Sequence, residues 1–248
     1  MRPSSMPTWG LRHMLLEVKD LEVAYGDYQV VWGVSLNVAA GESVALLGPN
    51  GSGKSTVVNT ISGLNKAKAG AIIFDGQDIT RQPTHARAPI GIAHVLERRR
   101  VFPHLTVLQN LKLGAWHPRA KAEREASLKR AFTLFPRLDE RKDQLARTMS
   151  GGEQQMLAIA RGLMSLPRLL MVDEPFLGLA PQVMEQMQGV FERLKSEGMA
   201  ILFIEQNVRL ALAMATRGYI LESGRLAISG ASGSLIDSPE VRRIFLGG

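Results

Sequence analysis

The sequence predicts a single α/β domain whose central sheet is parallel and buried on both faces. Two apolar runs support this prediction: residues 43–47 precede a glycine-rich turn, and residues 169–172 end in two adjacent carboxylates. Continuous apolar runs of this length are typical of parallel strands that are covered on both faces. Ligands of open α/β sheets bind at the carboxyl ends of the strands. A chain of 248 residues is long enough for one such domain and too short for two in tandem.

The segment before the glycine-rich turn is predicted to form strands. Residues 15–18 follow Met14 as an apolar strand, two short β segments frame Tyr25, and residues 34–38 give another strand. Residues 1–13 have two prolines, two serines and no apolar periodicity, so they are expected to be a disordered extension or the result of a start site assigned too early. They also lack the apolar core, roughly 7 to 15 residues, of a secretory signal. The folded domain is therefore expected to span residues 14–248.

The glycine-rich turn fits the phosphate-binding pattern G-x-x-x-x-G-K-[ST], with a helix predicted over residues 55–62 after it. This phosphate loop consists of Gly48, Pro49, Asn50, Gly51, Ser52, Gly53, Lys54, Ser55 and Thr56. Its glycines let backbone N–H groups approach phosphate oxygens, and the start of the helix favours anions. Lys54 supplies a point charge, and the Ser55 hydroxyl is suited to ligate Mg²⁺. The alternative is a glycine-rich turn without a ligand.

Residues 91–95 are predicted to form a strand, and residues 106–164 to be predominantly helical. Within the helical stretch, residues 153–164 favour a helix. Ser150, Gly151 and Gly152 stand just before it as a short polar cap. This is a second helix start suited to anions. One chain with two phosphate cradles and one pair of carboxylates is best explained if the second cradle faces the nucleotide of another subunit.

The carboxylates that follow the run 169–172 are Asp173 and Glu174. Because neighbouring residues of a strand point to opposite sides, the two side chains are expected to have different functions. Asp173 is the candidate for holding Mg²⁺ through water, and Glu174 for orienting and deprotonating an attacking water. The alternative is a solvated pair of acids. Beyond them the sequence predicts a helix over 181–195, a strand over 200–204, a hairpin around Ser223-Gly224 and short helical turns over 232–246.

Together these motifs resemble the ATP-binding cassette of ABC transporters, with residues 149–153 as the signature loop. The resemblance implies an α/β fold: a phosphate-loop NTPase core of ABC type with an antiparallel β subdomain and an α-helical subdomain inserted at about residues 98–165. Five segments are similar more narrowly to the ATP-binding subunit of branched-chain amino acid importers: 91–111, 149–161, 173–181, 204–207 and 245–248. The resemblance to the cassette implies ATP hydrolysis with Mg²⁺ at two sites between facing cassettes.

The resemblance also assigns individual residues. Tyr25 stands at the adenine-stacking position, Glu97 occupies the loop where most cassettes carry glutamine, and Gln206 the switch position where most carry histidine. Ser55, Asp173 and Glu97 become the metal-site residues. Ser150, Gly151, Gly152 and Glu153 become the residues that reach the partner's nucleotide.

The implied partners are a second ATP-binding subunit, either related or identical, two membrane permeases and, indirectly, a periplasmic or extracellular substrate-binding protein. The chain would then work as a peripheral subunit on the cytoplasmic face of the inner membrane.

Three positions depart from the usual pattern of this subfamily. Leu96 and Arg98 stand where proline and glycine are expected in the Glu97 loop, and Phe176 stands where serine usually follows Asp-Glu-Pro. The first two changes predict altered backbone freedom of the loop. Phe176 is predicted to pack in the core or at the dimer interface.

Composition limits the remaining function classes. The chain has no cysteine, which rules out a disulfide framework, and no apolar run near the roughly 20 residues that cross a bilayer. The net charge of +7 invites a nucleic-acid partner, but the basic residues are spread apart from Arg98 to Arg100, and no aromatic recognition motif accompanies them. We therefore expect no nucleic-acid partner, since a basic surface also suits an anionic membrane.

The sequence leaves alternatives of function open. The same machine could carry urea, short amides or other small solutes, because the permease and the binding protein choose the cargo. A soluble ABC ATPase acting on nucleic acid or ribosomes is a second alternative, although the chain lacks a coiled-coil insertion, a zinc module and a second cassette. An inactive regulatory cassette is a third, which Lys54, Asp173 and Glu174 argue against.

Overall fold

Ten strands and eleven α-helices make up the part of the chain that the computed structural model describes, residues 13–98 and 100–246. The strands are β1 (Met14–Tyr25), β2 (Tyr28–Ala39), β3 (Ser43–Leu47), β4 (Ala69–Phe74), β5 (Gln77–Asp78), β6 (Ile92–Val95), β7 (Leu169–Asp173), β8 (Ala200–Glu205), β9 (Arg217–Glu222) and β10 (Arg225–Ala231). The helices are α1 (Lys54–Ile61), α2 (Thr84–Arg87), α3 (Val107–Gly114), α4 (Pro118–Ala122), α5 (Arg124–Leu134), α6 (Pro136–Glu140), α7 (Gly151–Leu163), α8 (Pro181–Ser196), α9 (Val208–Met214), α10 (Ser232–Ile236) and α11 (Pro239–Leu246). None of these helices has both the length and the apolar character needed to cross a bilayer.

Some sequence-based predictions fall outside the described residues. These are the extension 1–12, Arg99 of the arginine triplet, and the last two glycines of the segment 245–248. His13, the last residue of the predicted extension, is described: its ring Nε2 lies 2.7 Å from Asp75 Oδ1.

The larger sheet has six strands in the order β10-β9-β3-β8-β7-β6. All neighbours from β9 to β6 are parallel, and β10 pairs with β9 in the antiparallel sense. Every residue of β3, β7 and β8 is buried, as the apolar runs predict. The prediction of an α/β domain with a buried parallel sheet is confirmed. The carboxyl ends of β3, β6, β7 and β8 therefore meet at one edge.

The smaller sheet is antiparallel, with the order β2-β1-β4-β5. The prediction of short separate strands before the phosphate loop is wrong, because β1 and β2 form one hairpin of 12 residues a side that closes at Tyr25 and Tyr28. Register shifts along β1 absorb the residues that interrupt its apolar alternation. The sequence gives no prediction for β4 and β5, which complete this sheet.

A buried ion pair joins the two sheets. Arg217 of β9 donates from Nε to Glu42 Oε1 at 2.6 Å and from Nη2 to Glu42 Oε2 at 3.0 Å. The same Nη2 donates to the backbone oxygen and to Oδ1 of Asn37 in β2, both at 2.7 Å. Glu42 Oε2 also accepts from the Ala39 N–H at 2.9 Å. The carboxylate and the guanidinium are thus held from both sheets.

Helices α3 to α7 lie within the stretch 98–165 that the resemblance assigns to the inserted subdomain. Thr106 and Gln109 form a capping box at the start of α3. Helix α3 packs closely on α7, since a Cβ added at Gly114 would lie 2.2 Å from the carbonyl oxygen of Arg161. Only a glycine allows this approach.

Phe176 packs inside the core. The residue is 5 % exposed, and its ring packs edge to face with that of Phe191 in α8 at a centroid distance of 6.0 Å. Phe191 in turn contacts Phe203 of β8 at 5.0 Å. Of the two positions that the sequence leaves open for Phe176, the core and the dimer interface, the structure places it in the core.

Candidate functional site

The phosphate loop surrounds one side of a cleft of about 640 Å³ at the carboxyl edge of the six-stranded sheet. Gly53 has a φ of +101°, so its left-handed backbone turns the chain into α1. A Cβ at Gly48 would lie 2.4 Å from the Leu221 carbonyl oxygen and 2.5 Å from Ser52 Oγ. The tight loop therefore depends on glycine at both positions. The cleft is lined by Val30, Asn50, Gly51, Ser52, Gly53, Lys54, Ser55, Thr56, Glu97, Arg98, Glu174, Leu177 and Gln206.

Lys54 is 6 % exposed and folds its amine back onto the loop. Its Nζ donates to the carbonyl oxygens of Gly48 at 2.7 Å and Pro49 at 3.1 Å. Burial lowers the pKa of Lys54, while the nearby charges of Glu174 and Asp173 raise it. The amine is thus held beside several carboxylates at the position where the loop could receive an anion.

Asp173 and Ser55 come together across the cleft from β7 and α1. Burial, together with the charges of Glu174 and Glu97, raises the pKa of Asp173 to about 6, and a hydrogen bond from the Ser55 hydroxyl opposes this shift. A carboxylate and a hydroxyl in contact are a suitable pair of oxygen donors for Mg²⁺, which takes few protein ligands when nucleotide phosphates are present.

Glu174 and Gln206 also meet, since Gln206 Nε2 donates to Glu174 Oε1. The strand alternation invoked for Asp173 and Glu174 does not apply, because β7 ends at Asp173 and Glu174 has a left-handed backbone with a φ of +46°. The Glu174 N–H instead donates to the Ile204 carbonyl oxygen at 2.8 Å. A sharp turn, rather than an alternating strand, gives the two carboxylates different surroundings.

Glu97 lines the cleft and forms an ion pair with its neighbour, Arg98 Nε, at 3.3 Å from Oε1. Arg98 has a φ of +64°. This is the left-handed region that favours glycine, and glycine is the residue that the subfamily pattern expects here. The loop thus keeps a glycine-like backbone although it carries a side chain.

Tyr25 lies beside the phosphate loop but does not line the cleft. Its ring is half exposed, and its hydroxyl lies 3.4 Å from Thr56 Oγ1 and accepts from Asn65 Nδ2 at 2.7 Å. These two contacts orient the ring. Asn65 is a site-adjacent residue that the sequence alone did not single out.

The signature loop lies away from this cleft, since none of its residues is among those that line it. Ser150 caps α7: its Oγ accepts from the Glu153 N–H at 3.3 Å, and Glu153 Oε2 accepts from the Ser150 N–H at 2.9 Å. Glu153 also pairs with Arg141 Nε at 3.1 Å. A Cβ at Gly152 would lie 2.9 Å from Val183 of α8, so glycine lets α7 begin against α8. In this structure Glu153 stabilises the helix start through the capping box and the ion pair.

Glu205 is a further carboxyl at this sheet edge, at the end of β8, and the sequence analysis does not identify it as a site residue. It is 5 % exposed, and burial, together with the charge of Glu174, raises its pKa to about 7. The signal was present: an acid ends the apolar run 200–204 in the same way that Asp173 ends the run 169–172.

The residues present fit a nucleotide and its metal ion. Ser52 Oγ is buried without a hydrogen-bond partner among the described residues, so it is open to a ligand. The loop is closed too tightly to hold a side chain at Gly48, and residues 50–56 of the loop line the cleft. Ser55 and Asp173 supply the oxygen donors. Phosphates and Mg²⁺ are the groups that such a cradle and donor pair accept.

Comparison with known proteins agrees with this chemistry. The ABC transporter family model matches residues 31–177, more than half of the chain. The chain is 43 % identical over 234 residues to the high-affinity branched-chain amino acid transport ATP-binding protein BraG of Pseudomonas aeruginosa, covering 94 % of this chain and 100 % of that protein. It is 36 % identical to the lipopolysaccharide export system ATP-binding protein LptB of Escherichia coli K12, covering 94 % and 97 %. A probable branched-chain amino acid transport ATP-binding protein, LivF of Archaeoglobus fulgidus, is 35 % identical, covering 94 % and 99 %.

Solved structures share the whole architecture. A nucleotide-free ATP-binding cassette from an ABC transporter superimposes with a TM-score of 0.83 and 26 % identity, covering 95 % of this chain and 100 % of that one. The ADP conformation of MJ1267, an ATP-binding cassette of an ABC transporter, gives a TM-score of 0.82 at 26 % identity, covering 95 % and 99 %.

Proposed function

Since the chain belongs to the ABC transporter family as an ATP-hydrolysing subunit, we propose that it energises an importer for branched-chain and other hydrophobic amino acids. Two of its relatives, BraG and LivF, are named for branched-chain amino acid transport. The cargo assignment rests on these names and on the segments that resemble the same subfamily.

The observation that carries the ATPase assignment is the meeting of five side chains at one sheet edge. Four separate parts of the sequence bring Lys54, Asp173, Glu174, Glu97 and Gln206 to one edge, where Lys54 belongs to the phosphate loop. Phosphoryl transfer needs this combination of a phosphate cradle, a metal-binding carboxylate and a group that accepts the proton of water.

In this proposal Glu174 accepts a proton from the attacking water as the water oxygen bonds to the γ-phosphorus and the bond to the bridging oxygen of ADP breaks. Gln206, which donates to Glu174 Oε1, holds that carboxylate in place. Lys54 leaves the carbonyl oxygens of Gly48 and Pro49 to meet phosphate oxygens. Mg²⁺ held by Ser55 and Asp173, with Glu97 nearby, would neutralise part of the phosphate charge. The neutral amide of Gln206 would stabilise charge at the γ-phosphate less than a histidinium would.

The position of the signature loop supports the proposed assembly. Ser150 to Glu153 lie outside the cleft of their own chain, which supports a site completed by a second ATP-binding subunit, either related or identical. Two permeases would dock on this pair, and a substrate-binding protein outside the membrane would deliver the cargo to them. The chain would then reside on the cytoplasmic face of the inner membrane. Tyr25 would stack on the adenine ring.

Co-purification from native membranes tests the assembly. A Glu174→Gln variant is expected to trap ATP and to increase recovery of a second ATP-binding subunit and two multi-span proteins. Glu240→Gln, the same chemical change at an exposed position of α11, serves as the matched control and should recover no more than the wild type. Recovery of ribosomes or DNA-repair proteins without a membrane component would contradict the importer role.

Uptake by cells that lack the chain tests the cargo. The wild-type chain is expected to restore uptake of labelled leucine, whereas Lys54→Ala should not, because the phosphates lose their cation. Restoration of urea or amide uptake alone would keep the importer and overturn the amino acid assignment. An export role of the kind named for LptB would leave both uptake activities unrestored.

A further inference from the structure

Glu205 is a buried acid at the sheet edge beside the cleft, and the proposed hydrolysis does not use it. It ends β8 opposite Leu47, the residue that leads from β3 into the phosphate loop. Its Oε1 atom is buried and has no hydrogen-bond partner among the described residues. A buried carboxyl with an unpartnered oxygen is costly when it is ionised. A carboxyl that destabilises the fold in this way is a candidate for a functional role.

Two loops converge on this carboxyl group. It accepts hydrogen bonds from the backbone N–H groups of Phe176, Gln206 and Asn207, and these bonds favour its ionised form. Phe176 belongs to the turn that carries Glu174, and Gln206 is the switch residue itself. Glu205 thus lies between the two segments whose side chains meet in the Gln206 to Glu174 hydrogen bond.

The charges around Glu205 change when a nucleotide arrives. Glu174 raises the pKa of Glu205, and the Glu205 charge in turn raises the pKa of Lys54. A bound triphosphate brings further negative charge to the cleft and draws Lys54 towards itself. Both changes disfavour the ionised form of Glu205, whose pKa is already raised to about 7 by burial.

We propose that Glu205 is a positioning residue for ATP hydrolysis, joining the Glu174 turn to the Gln206 loop and taking up one proton on its carboxylate when ATP binds. The proton comes from solvent, and no bond of the nucleotide changes in this step. A neutral carboxyl accepts hydrogen bonds from the backbone N–H groups of these loops less strongly than a carboxylate does, so ATP binding loosens the junction between the two loops. This inference rests on the proposed nucleotide site and is independent of the transported solute.

Calorimetry measures this proton directly. The Mg²⁺ complex of a non-hydrolysable ATP analogue is titrated into the full chain at pH 7.5 in buffers of different ionisation enthalpy, and the slope of the heat against that enthalpy gives the protons taken up. Because the Glu205 carboxyl is already partly protonated at this pH, uptake by the wild type should exceed that by Glu205→Gln by about half a proton instead of a whole one. Glu222→Gln is the matched control, since this exposed glutamate ends β9 at the same sheet edge, and its uptake should equal that of the wild type. Glu205→Asp keeps a carboxyl group and should retain uptake.

The outcomes separate this inference from the proposed function. Binding by Glu205→Gln with the uptake of the wild type would overturn the role of Glu205 and leave the nucleotide site intact. No binding by the wild type would overturn both. If Glu205→Gln fails to fold, Glu205→Asp decides the matter: the inference fails if this variant binds the analogue without uptake.

Discussion

The ion pair between Glu42 and Arg217 allows a quantitative test of how the two sheets are held together. The two side chains are 10 % and 3 % exposed and share two hydrogen bonds, at 2.6 and 3.0 Å. Glu42→Gln removes the negative charge and places an N–H₂ group against a guanidinium. Breaking a buried pair from one side costs about 3 to 5 kcal/mol. Because Asn37 and Tyr219 still contact Arg217, we expect a loss of about 3 kcal/mol.

Urea unfolding measures this loss as a lower midpoint at an unchanged slope. Glu17→Gln is the control, since the pair between Glu17 and Lys19 is solvent-accessible and should contribute less than about 1 kcal/mol. A double variant with methionine at positions 42 and 217 should recover part of the loss, because no charge is left without its counterion. A free energy of unfolding for Glu42→Gln within about 1 kcal/mol of the wild-type value would refute the reasoning.

Three further predictions concern the nucleotide site. Burial raises the pKa of Glu205 from 4.5 to about 7, so the wild type loses stability as pH rises through this range, where the buried carboxyl ionises less readily than in the unfolded chain. In urea unfolding, the stability advantage of Glu205→Gln over the wild type should therefore grow by roughly 2.5 kcal/mol between pH 5 and 8. A constant difference would contradict this. Arg98→Gly should stabilise the protein by about 1 kcal/mol in the same assay, since it relieves the left-handed backbone and removes only an exposed ion pair; a lower midpoint would show that the side chain contributes more than its backbone costs. Gln206→His should raise ATP turnover of the assembled complex about fivefold at pH 6.5, because a charged donor adds about 1 kcal/mol over a neutral one; unchanged or slower turnover counts against a role at the γ-phosphate.

The part of the site that was predictable from sequence is the part that local pattern determines. The phosphate loop needs glycine at fixed spacing, and the sequence itself shows a buried strand followed by an acid, so the sequence predicts Lys54 and Asp173 as residues of this site. Glu205 follows the same rule, since it ends the apolar run 200–204, so the same pattern is sufficient to identify it.

The features that sequence did not predict depend on contacts between distant segments. Strands β4 and β5 are short, and β4 is defined by its pairing with β1 some 50 residues earlier in the chain. The direction of Phe176 is set by Phe191, which belongs to a helix that begins after it. The left-handed turn at Glu174 cannot be inferred from alternation, since alternation assumes that the strand continues.

The close approach of Gly152 to Val183 has a consequence for two cassettes working as a pair. Helix α7 begins with the loop proposed to serve the partner's nucleotide, and α8 follows the turn that carries this chain's own Glu174. With less than the width of a methyl group between them, neither helix start can shift far without displacing the other. A pair of cassettes would then have little freedom to let one nucleotide site open while the other stays closed. We expect the two nucleotide sites to open and close together.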